Sequence, residues 1–158
     1  MTFVAETATQ TLNLSRVFNA SREVIYNAWT NPEILGLWFG PHSHKCKVEK
    51  LDIREGGEYQ IRMIPIVDDS DCGGDTTQDS VCAGKFVSLK ADEEIVMTFD
   101  WIENGLEMGP TLLTIKLTDT DNGTKLDLTH EKIPTTEAAE AHKGGWEGSL
   151  ECLAEYLA

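Results

Sequence analysis

The amino-acid sequence predicts an α+β domain in which a seven-stranded antiparallel sheet wraps around one long C-terminal helix. The helix is indicated by the segment from Thr135 to Ala158, which has the length of a long helix. Within it, large apolar residues recur at spacings of four, three and four and form one stripe at a period of 3.6: Trp146, Leu150, Leu153 and Leu157. The sheet is indicated by a change to a period of two in the middle of the chain, which is typical of half-buried strands.

The segment before residue 40 is predicted to contain one strand and two short helices. Leu12 to Phe18 is predicted as the first strand. Ser21 follows as an N-cap, because its side-chain oxygen can accept a hydrogen bond from a free amide of the first helical turn. Pro32 suits the start of a second short helix that carries Ile34 to Phe39.

The remaining strands are predicted from alternating apolar residues separated by turn-forming residues. Gly56-Gly57 permits positive φ at a tight junction, and Asn104-Gly105 and Asn122-Gly123 are hairpin-turn pairs. Six strands follow from this pattern: Lys47–Ile53, Glu58–Ile64, Val81–Lys90, Glu94–Trp101, Thr111–Thr118 and Lys125–Glu131. Gly144-Gly145 interrupts the final helix, and we expect a kink or a close approach of the backbone to the sheet there, since glycine is costly in a helix.

Length and charge narrow the classes of protein to which the chain can belong. The 158 residues are enough for one domain, with a core from residue 12 to residue 157. A net charge of −14 argues against binding to nucleic acid or to anionic membranes. No apolar run reaches the roughly 20 residues of a membrane span, and Met1 to Gln10 lacks the features of a signal peptide. We therefore expect a cytoplasmic location.

The acidic segment from Asp68 to Ser80 is predicted to be a mobile loop, because it contains five aspartates and almost no apolar residue. The four cysteines include no C-x-x-C pair, which favours free thiols. A bridge between Cys72 and Cys82 remains an alternative.

Six segments, in this order along the chain, resemble those of a known family: Arg16–Glu33, Leu37–Pro41, Leu51–Tyr59, Gly84–Phe86, Gly123–Leu126 and Gly144–Trp146. The chain thus resembles the activator of Hsp90 ATPase homologue 1-like family, within the START-like (SRPBCC) superfamily. The resemblance implies the helix-grip fold, also called START-like or Bet v 1-like. It implies no shared catalytic residues and no common ligand. Ser21 stands where the family usually carries proline.

The predicted strands and the final helix place apolar and aromatic residues on facing surfaces, where they form either an ordinary core or the wall of a ligand cavity. Aromatic and methionine side chains suit a cavity wall because they combine a large apolar area with adaptability. The candidate ligand-binding residues are Trp38, Phe39, Tyr59, Ile61, Met63, Met97, Phe99, Trp101, His130, His142, Trp146 and Leu150.

Chemical sites are weakly indicated. His130 is expected to be a buried histidine satisfied by a neighbour rather than a catalytic base, although His130 and His142 could together orient the polar end of a ligand. The segment from His42 to Cys46 has three metal-capable side chains without a recognised metal motif, and the acidic loop lacks the closing glutamate of an EF-hand. No metal and no cofactor are predicted.

Three functions remain open. The leading hypothesis is non-enzymatic binding of a small hydrophobic or amphipathic ligand, lipid-like, polyketide-like or aromatic, between the sheet and the C-terminal helix. The alternative, implied by the family resemblance, is a co-chaperone or stress-response module that binds a chaperone or another protein. The third is an enzyme of the cyclase type, which the superfamily includes.

Overall fold

The computed structural model describes residues 9–40, 44–65, 79–103 and 110–157. Its elements in chain order are β1 (Gln10–Phe18), α1 (Arg22–Thr30), α2 (Pro32–Trp38), β2 (His44–Leu51), β3 (Glu58–Pro65), β4 (Ser80–Lys90), β5 (Glu94–Glu103), β6 (Thr111–Thr120), β7 (Gly123–Ile133) and α3 (Thr136–Leu157). Every predicted element is present, with bounds that differ by at most three residues. The α+β class and the helix-grip arrangement are confirmed.

The seven strands form one antiparallel sheet in the order β1-β7-β6-β5-β4-β3-β2. From β2 to β7 each strand pairs with the next strand in the chain, whereas β1 pairs with β7 and places Leu14 opposite Leu128. Antiparallel neighbours can be joined by tight turns, and β4 to β5 and β6 to β7 are joined in this way. The sheet has two edges, β1 and β2, and each of the three helices contacts at least one of its strands.

Capping residues fix where the two short helices begin. The backbone N–H of Val24 donates to the Ser21 side-chain oxygen at 3.2 Å, which confirms Ser21 as an N-cap. Asn31 caps α2 in the same way, by accepting from the backbone N–H of Glu33 at 3.0 Å. These caps satisfy amide groups that a helix leaves without internal partners.

Two glycines at turns are required by geometry. Gly56 has a φ of +85°, as the sequence predicts for this junction. Gly123 has a φ of +140°, and a Cβ there would lie 2.1 Å from the backbone oxygen of Phe18. Larger residues at Gly123 would therefore separate β7 from the end of β1.

Of the two alternatives expected at Gly144-Gly145, a kink or a close approach to the sheet, the close approach is wrong. A Cβ added at either position meets no atom within 4 Å. Gly144 is exposed and Gly145 is half-buried, and both lie within the continuous helix α3. The glycines leave open space beside the helix instead of bringing it against the sheet.

Helix α3 buries most of its predicted apolar stripe. Trp146, Leu150 and Leu153 are 4%, 3% and 0% exposed, while Leu157 at the end of the helix is half-buried. The helix packs against β1, β7 and α2. The core is continuous around it, because buried side chains of all three helices and of the strands join one cluster.

Some sequence-based predictions fall outside the described residues. They concern the Asn104-Gly105 turn, Cys72 and its pairing, His42, and the acidic loop from Asp68 as far as residue 78. Cys46, Cys82 and Cys152 are free thiols, as predicted. In the described part of the chain, no helix is long and apolar enough to cross a membrane.

Candidate functional site

A cavity of about 180 Å³ lies between one end of the sheet and the part of α3 from Ala141 to Ser149. Strands β3, β4 and β5 form one wall, the residues that follow α2 form a second, and α3 closes the third. The residues that line it are Phe39, Gly40, Met63, Ser80, Phe99, Trp101, Ala141, His142, Gly145, Trp146 and Ser149. Ala141, one of these lining residues, is exposed to solvent, so the α3 wall of the cavity reaches the surface of the protein.

The structure brings half of the twelve candidate residues to this cavity: Phe39, Met63, Phe99, Trp101, His142 and Trp146. Their role in ligand binding stays a prediction. The other six are buried but do not line the cavity: Trp38, Tyr59, Ile61, Met97, His130 and Leu150. Side chains on one strand share a face but lie at different distances from the end of the sheet, and the sequence does not reveal that distance.

Two of the aromatic residues that lie away from the cavity have their polar atoms bound elsewhere. The indole N–H of Trp38 donates to the backbone oxygen of Ala28 at 3.0 Å. The Tyr59 hydroxyl donates to the backbone oxygen of Thr98 at 2.6 Å. Burial raises the pKa of Tyr59 well above its ordinary value. Both residues stabilise the core in which they are packed.

Small residues of the cavity wall were not identified from the sequence. Ala141, Gly145 and Ser149 recur at a spacing of four and therefore share one face of α3. Together with Gly40 and Ser80 they leave the space that the aromatic residues enclose. The sequence does contain a pattern that could have predicted them, a stripe of small residues beside a tryptophan. Predictions of a binding wall usually look for large apolar residues instead.

His142 is held in one neutral tautomer. The indole N–H of Trp101 can only donate, and its Nε1 lies 2.9 Å from His142 Nε2, which must therefore accept. His142 Nδ1 lies 2.7 Å from the backbone oxygen of Ala138, which can only accept. Burial lowers the pKa of His142, in agreement with a neutral ring.

His130 is bound in the same manner behind the cavity wall. The indole N–H of Trp146 donates to His130 Nδ1 at 3.1 Å. The other ring nitrogen, Nε2, then carries the proton and donates to the Thr111 hydroxyl at 2.7 Å, which donates to the backbone oxygen of Phe99 at 2.6 Å. The expectation of a buried histidine satisfied by its neighbours agrees with this arrangement.

Burial and the nearby His142 ring lower the pKa of His130 to about 3. The two imidazole rings lie 5.2 Å apart and edge to face. With both rings neutral and all four nitrogens bound to protein groups, neither histidine has a lone pair or proton left for a ligand. The alternative in which the two histidines orient a polar ligand group therefore has no support in the geometry.

Aromatic rings link the cavity to the helices that close it. Trp146 packs edge to face on Phe39, with ring centroids 5.6 Å apart, and lies 5.8 Å from Phe99. Trp29 packs edge to face on Trp38 at 4.8 Å and reaches Trp146 at 6.3 Å. These contacts fix the three walls relative to one another.

Ser149 joins α3 to the end of α2. The backbone N–H of Gly40 donates to the Ser149 hydroxyl oxygen at 2.9 Å, and Ser149 is 3% exposed. Gly40 has a φ of +89°, and a Cβ there would lie 2.9 Å from the terminal methyl of Met63. Glycine is thus required at this corner of the cavity.

Reactive groups are scarce near the cavity. Among the described residues, no group of three or more histidine, cysteine or acidic side chains could hold a metal ion. Burial and then the neighbouring Cys152 raise the pKa of Cys46 to about 12, and burial raises the pKa of Cys82 even further. These thiols are therefore poor nucleophiles at neutral pH, because the thiolate is the reactive form.

Comparison with families of known proteins supports the same architecture. The family model described as Activator of Hsp90 ATPase homolog 1-like protein matches residues 19–158. No curated protein is significantly similar to the chain.

Solved structures of several bacterial proteins have the same fold. Protein CV1439 from Chromobacterium violaceum is 30% identical, with 93% of this chain and 96% of that chain covered and a TM-score of 0.80. The AHSA1 protein from Silicibacter pomeroyi is 22% identical, with 94% and 97% covered and a TM-score of 0.76. CalU16 from Micromonospora echinospora is 17% identical, with 95% and 77% covered and a TM-score of 0.66. The likeness to the last two is one of fold alone.

Proposed function

Because this chain belongs to the Activator of Hsp90 ATPase homolog 1-like family, whose fold suggests a ligand-binding domain, we propose that it binds a small hydrophobic molecule between the sheet and α3. The cavity carries this proposal. Of the described residues that line it, none has a charged side chain, and five have aromatic rings or a thioether: Phe39, Met63, Phe99, Trp101 and Trp146. Such a surface favours apolar contact over catalysis.

The size of the cavity supports a binding role over imperfect packing. Protein interiors are close-packed and contain few voids larger than a water molecule. The walls of a space of about 180 Å³ lack the contacts of a close-packed core on that side. A ligand that fills the space would supply such contacts. We therefore expect binding to raise the melting temperature.

Gly145 provides the sharpest test. It lines the cavity, and a Cβ added to it meets nothing within 4 Å. A valine there has a restricted χ1 and cannot easily rotate away, so we expect Gly145→Val to fill the cavity. Gly144 is the matched control, because it is exposed and equally free of contacts within 4 Å.

The measurement is the ligand-induced change in tryptophan fluorescence and melting temperature, with neutral aromatic compounds as probes. We expect Gly145→Val to reduce probe affinity at least tenfold, while Gly144→Val binds as the parent does. Both variants contain the same substitution in adjacent helical positions, which controls for the helix propensity of valine. Equal affinity in the two variants would contradict binding in this cavity.

A second candidate function is protein interaction, favoured by the charge and by exposed apolar side chains. The chain has a net charge of −14. Leu37 is 70% exposed and Tyr156 is 42% exposed, and both border a groove between α2 and the end of α3. A partner with a basic surface would associate in a salt-sensitive manner. The family description names the ATPase of a chaperone, which makes a chaperone the first partner to test.

The two functions are separable by substitution. Leu37→Ser should weaken capture of a purified chaperone partner and leave probe binding unchanged, whereas Gly145→Val should do the reverse. A cyclase-type enzyme, the third hypothesis, receives no support from the described residues. Both histidines near the cavity are neutral and fully hydrogen-bonded there.

A further inference from the structure

We propose that the cavity selects an uncharged molecule of single-ring size that carries one hydrogen-bond acceptor, and that the Ser149 hydroxyl donates to this acceptor. The inference rests on the proposed function, since it names the ligand class of the same cavity. It follows from three properties of the site: its volume, the absence of charge among its described lining residues, and the use already made of its polar groups.

Volume sets the size of the ligand. An apolar cavity of about 150 Å³ is known to accept benzene, and this cavity measures about 180 Å³. One substituted aromatic ring therefore fits. A long acyl chain or a fused polyketide ring system would have to extend past Ala141 into solvent, where it would lose the contacts that the aromatic walls provide.

Charge sets a second limit. The described lining residues provide no cation or anion to pair with a charged ligand. His142, the only titratable group among them, is neutral because burial lowers its pKa. A carboxylate or an ammonium group would lose its hydration without compensation, which proteins strongly disfavour.

A count of donors identifies Ser149 as the polar anchor. The indole N–H groups of Trp101 and Trp146 donate to His142 and His130, and His142 donates to a backbone carbonyl. Ser80 on the opposite wall has interactions of its own.

The Ser149 oxygen accepts from Gly40, but its own O–H has no acceptor among the described residues. Because Ser149 is 97% buried and lines the cavity, an acceptor for this O–H would have to lie within the cavity. A ligand acceptor within the cavity would complete its hydrogen bonding.

Three compounds of nearly the same shape test the proposal in the intact protein. Acetophenone carries a carbonyl, α-methylstyrene carries a CH₂ group in its place, and benzoate carries a charge. Affinities are measured by calorimetry and tryptophan fluorescence for the parent, for Ser149→Ala and for Ser149→Thr, which keeps the hydroxyl.

We expect Ser149→Ala to weaken acetophenone about tenfold, the scale of one lost hydrogen bond that leaves a buried acceptor unpaired. The affinity for α-methylstyrene should change less than about twofold, because it has no acceptor to lose a partner. Ser149→Thr should retain the acetophenone affinity. Benzoate should bind the parent at least a hundredfold more weakly than acetophenone.

The comparison between ligands within each variant cancels any loss of stability caused by the Gly40 N–H that Ser149→Ala leaves unpaired. If that variant fails to fold, the preference of the parent for acetophenone over benzoate and the Ser149→Thr affinities still test the proposal.

Contrary results have different meanings. Equal weakening of acetophenone and α-methylstyrene in Ser149→Ala would overturn the role of Ser149, and tight benzoate binding would overturn the charge limit. Binding of a long neutral alcohol that Gly145→Val blocks, with no binding of the ring compounds, would overturn the size limit and leave the proposed function intact. Failure of all probes to bind would overturn the proposed function itself.

Discussion

Helix α3 divides after Ser149 into a longer first half, which borders the cavity, and a shorter second half, and the two contact the rest of the protein through different chemistry. In the second half, Leu150 and Leu153 are 3% and 0% exposed and pack into the continuous core. In the first half, small residues alternate with His142 and Trp146, which are hydrogen-bonded to other side chains beside a cavity. The second half thus stabilises the protein by close packing, whereas hydrogen bonds fix the side chains of the first half beside the cavity. Stability and binding should therefore respond to substitution in different halves.

The largest effect is expected in the packed half. Leu150→Asp places a carboxylate in the core and should lower the free energy of unfolding by several kcal/mol, a large part of the ~5–15 kcal/mol of a typical domain. Urea unfolding measures the loss. A variant as stable as the parent would show that this half of α3 is not packed as described.

The next effect concerns pH and belongs to the histidine network of the other half. The pKa of His130 is lowered to about 3, while an unfolded histidine titrates near 6.5. Below pH 6.5 the His130 ring is protonated in the unfolded chain but stays neutral in the folded protein. The free energy of unfolding should therefore fall as the pH decreases, by about 1.4 kcal/mol per pH unit for this residue.

His142, whose pKa is also lowered, adds to this fall. The range from pH 6.5 to 4.5 isolates the effect of the histidines. Arg62 and Lys50 lower the pKa values of Glu49 and Glu58, so the stability that these two carboxylates contribute is lost only at lower pH. His130→Asn retains an acceptor for Trp146 and should reduce the slope. An unchanged slope in that variant would contradict the assignment.

A third prediction compares truncation in the two halves. Leu153→Ala removes a fully buried side chain from the packed half and should cost 2–5 kcal/mol. Trp101→Ala removes a larger but half-buried ring from the cavity wall, and we expect it to cost less stability than Leu153→Ala and to weaken probe binding more. The reverse order, measured by denaturant unfolding and probe titration, would indicate a solid core around Trp101.

The smallest effect should be a gain. Gly144→Ala and Gly145→Ala add a methyl group where no atom lies within 4 Å, so each should stabilise α3 by about 1 kcal/mol. Thermal unfolding measures both gains. Only Gly145→Ala should also alter probe affinity, because only Gly145 lines the cavity. A loss of stability in either variant would mean that the helix needs glycine at this point.

Local chemistry explains why the fold could be predicted so fully from the sequence. The Ser21 cap, the positive φ at Gly56 and the stripe of Trp146, Leu150 and Leu153 each depend on residues close together in the chain. Such features form from local interactions and do not depend on the positions of residues far away in the chain.

The cavity depends on relations that no single segment reveals. Met63 lines it while Tyr59 on the same face of β3 does not, since the difference is position along the sheet. The Ser149 hydroxyl oxygen accepts a hydrogen bond from Gly40, which lies 109 residues away in the chain. The glycines of α3 predicted a kink or a close approach to the sheet, because the sequence shows that a side chain is missing but not how much space surrounds it.

The pairing of β1 with β7 also constrains the order in which the protein can assemble. Strands β2 to β7 each pair with the next strand along the chain, so these pairs can form soon after each strand emerges from the ribosome. The partner of β1, from Gly123 to Ile133, is made more than a hundred residues later. During synthesis β1 must therefore remain without its native neighbour, and a nascent chain halted before β7 should expose that strand to chaperones and to proteases.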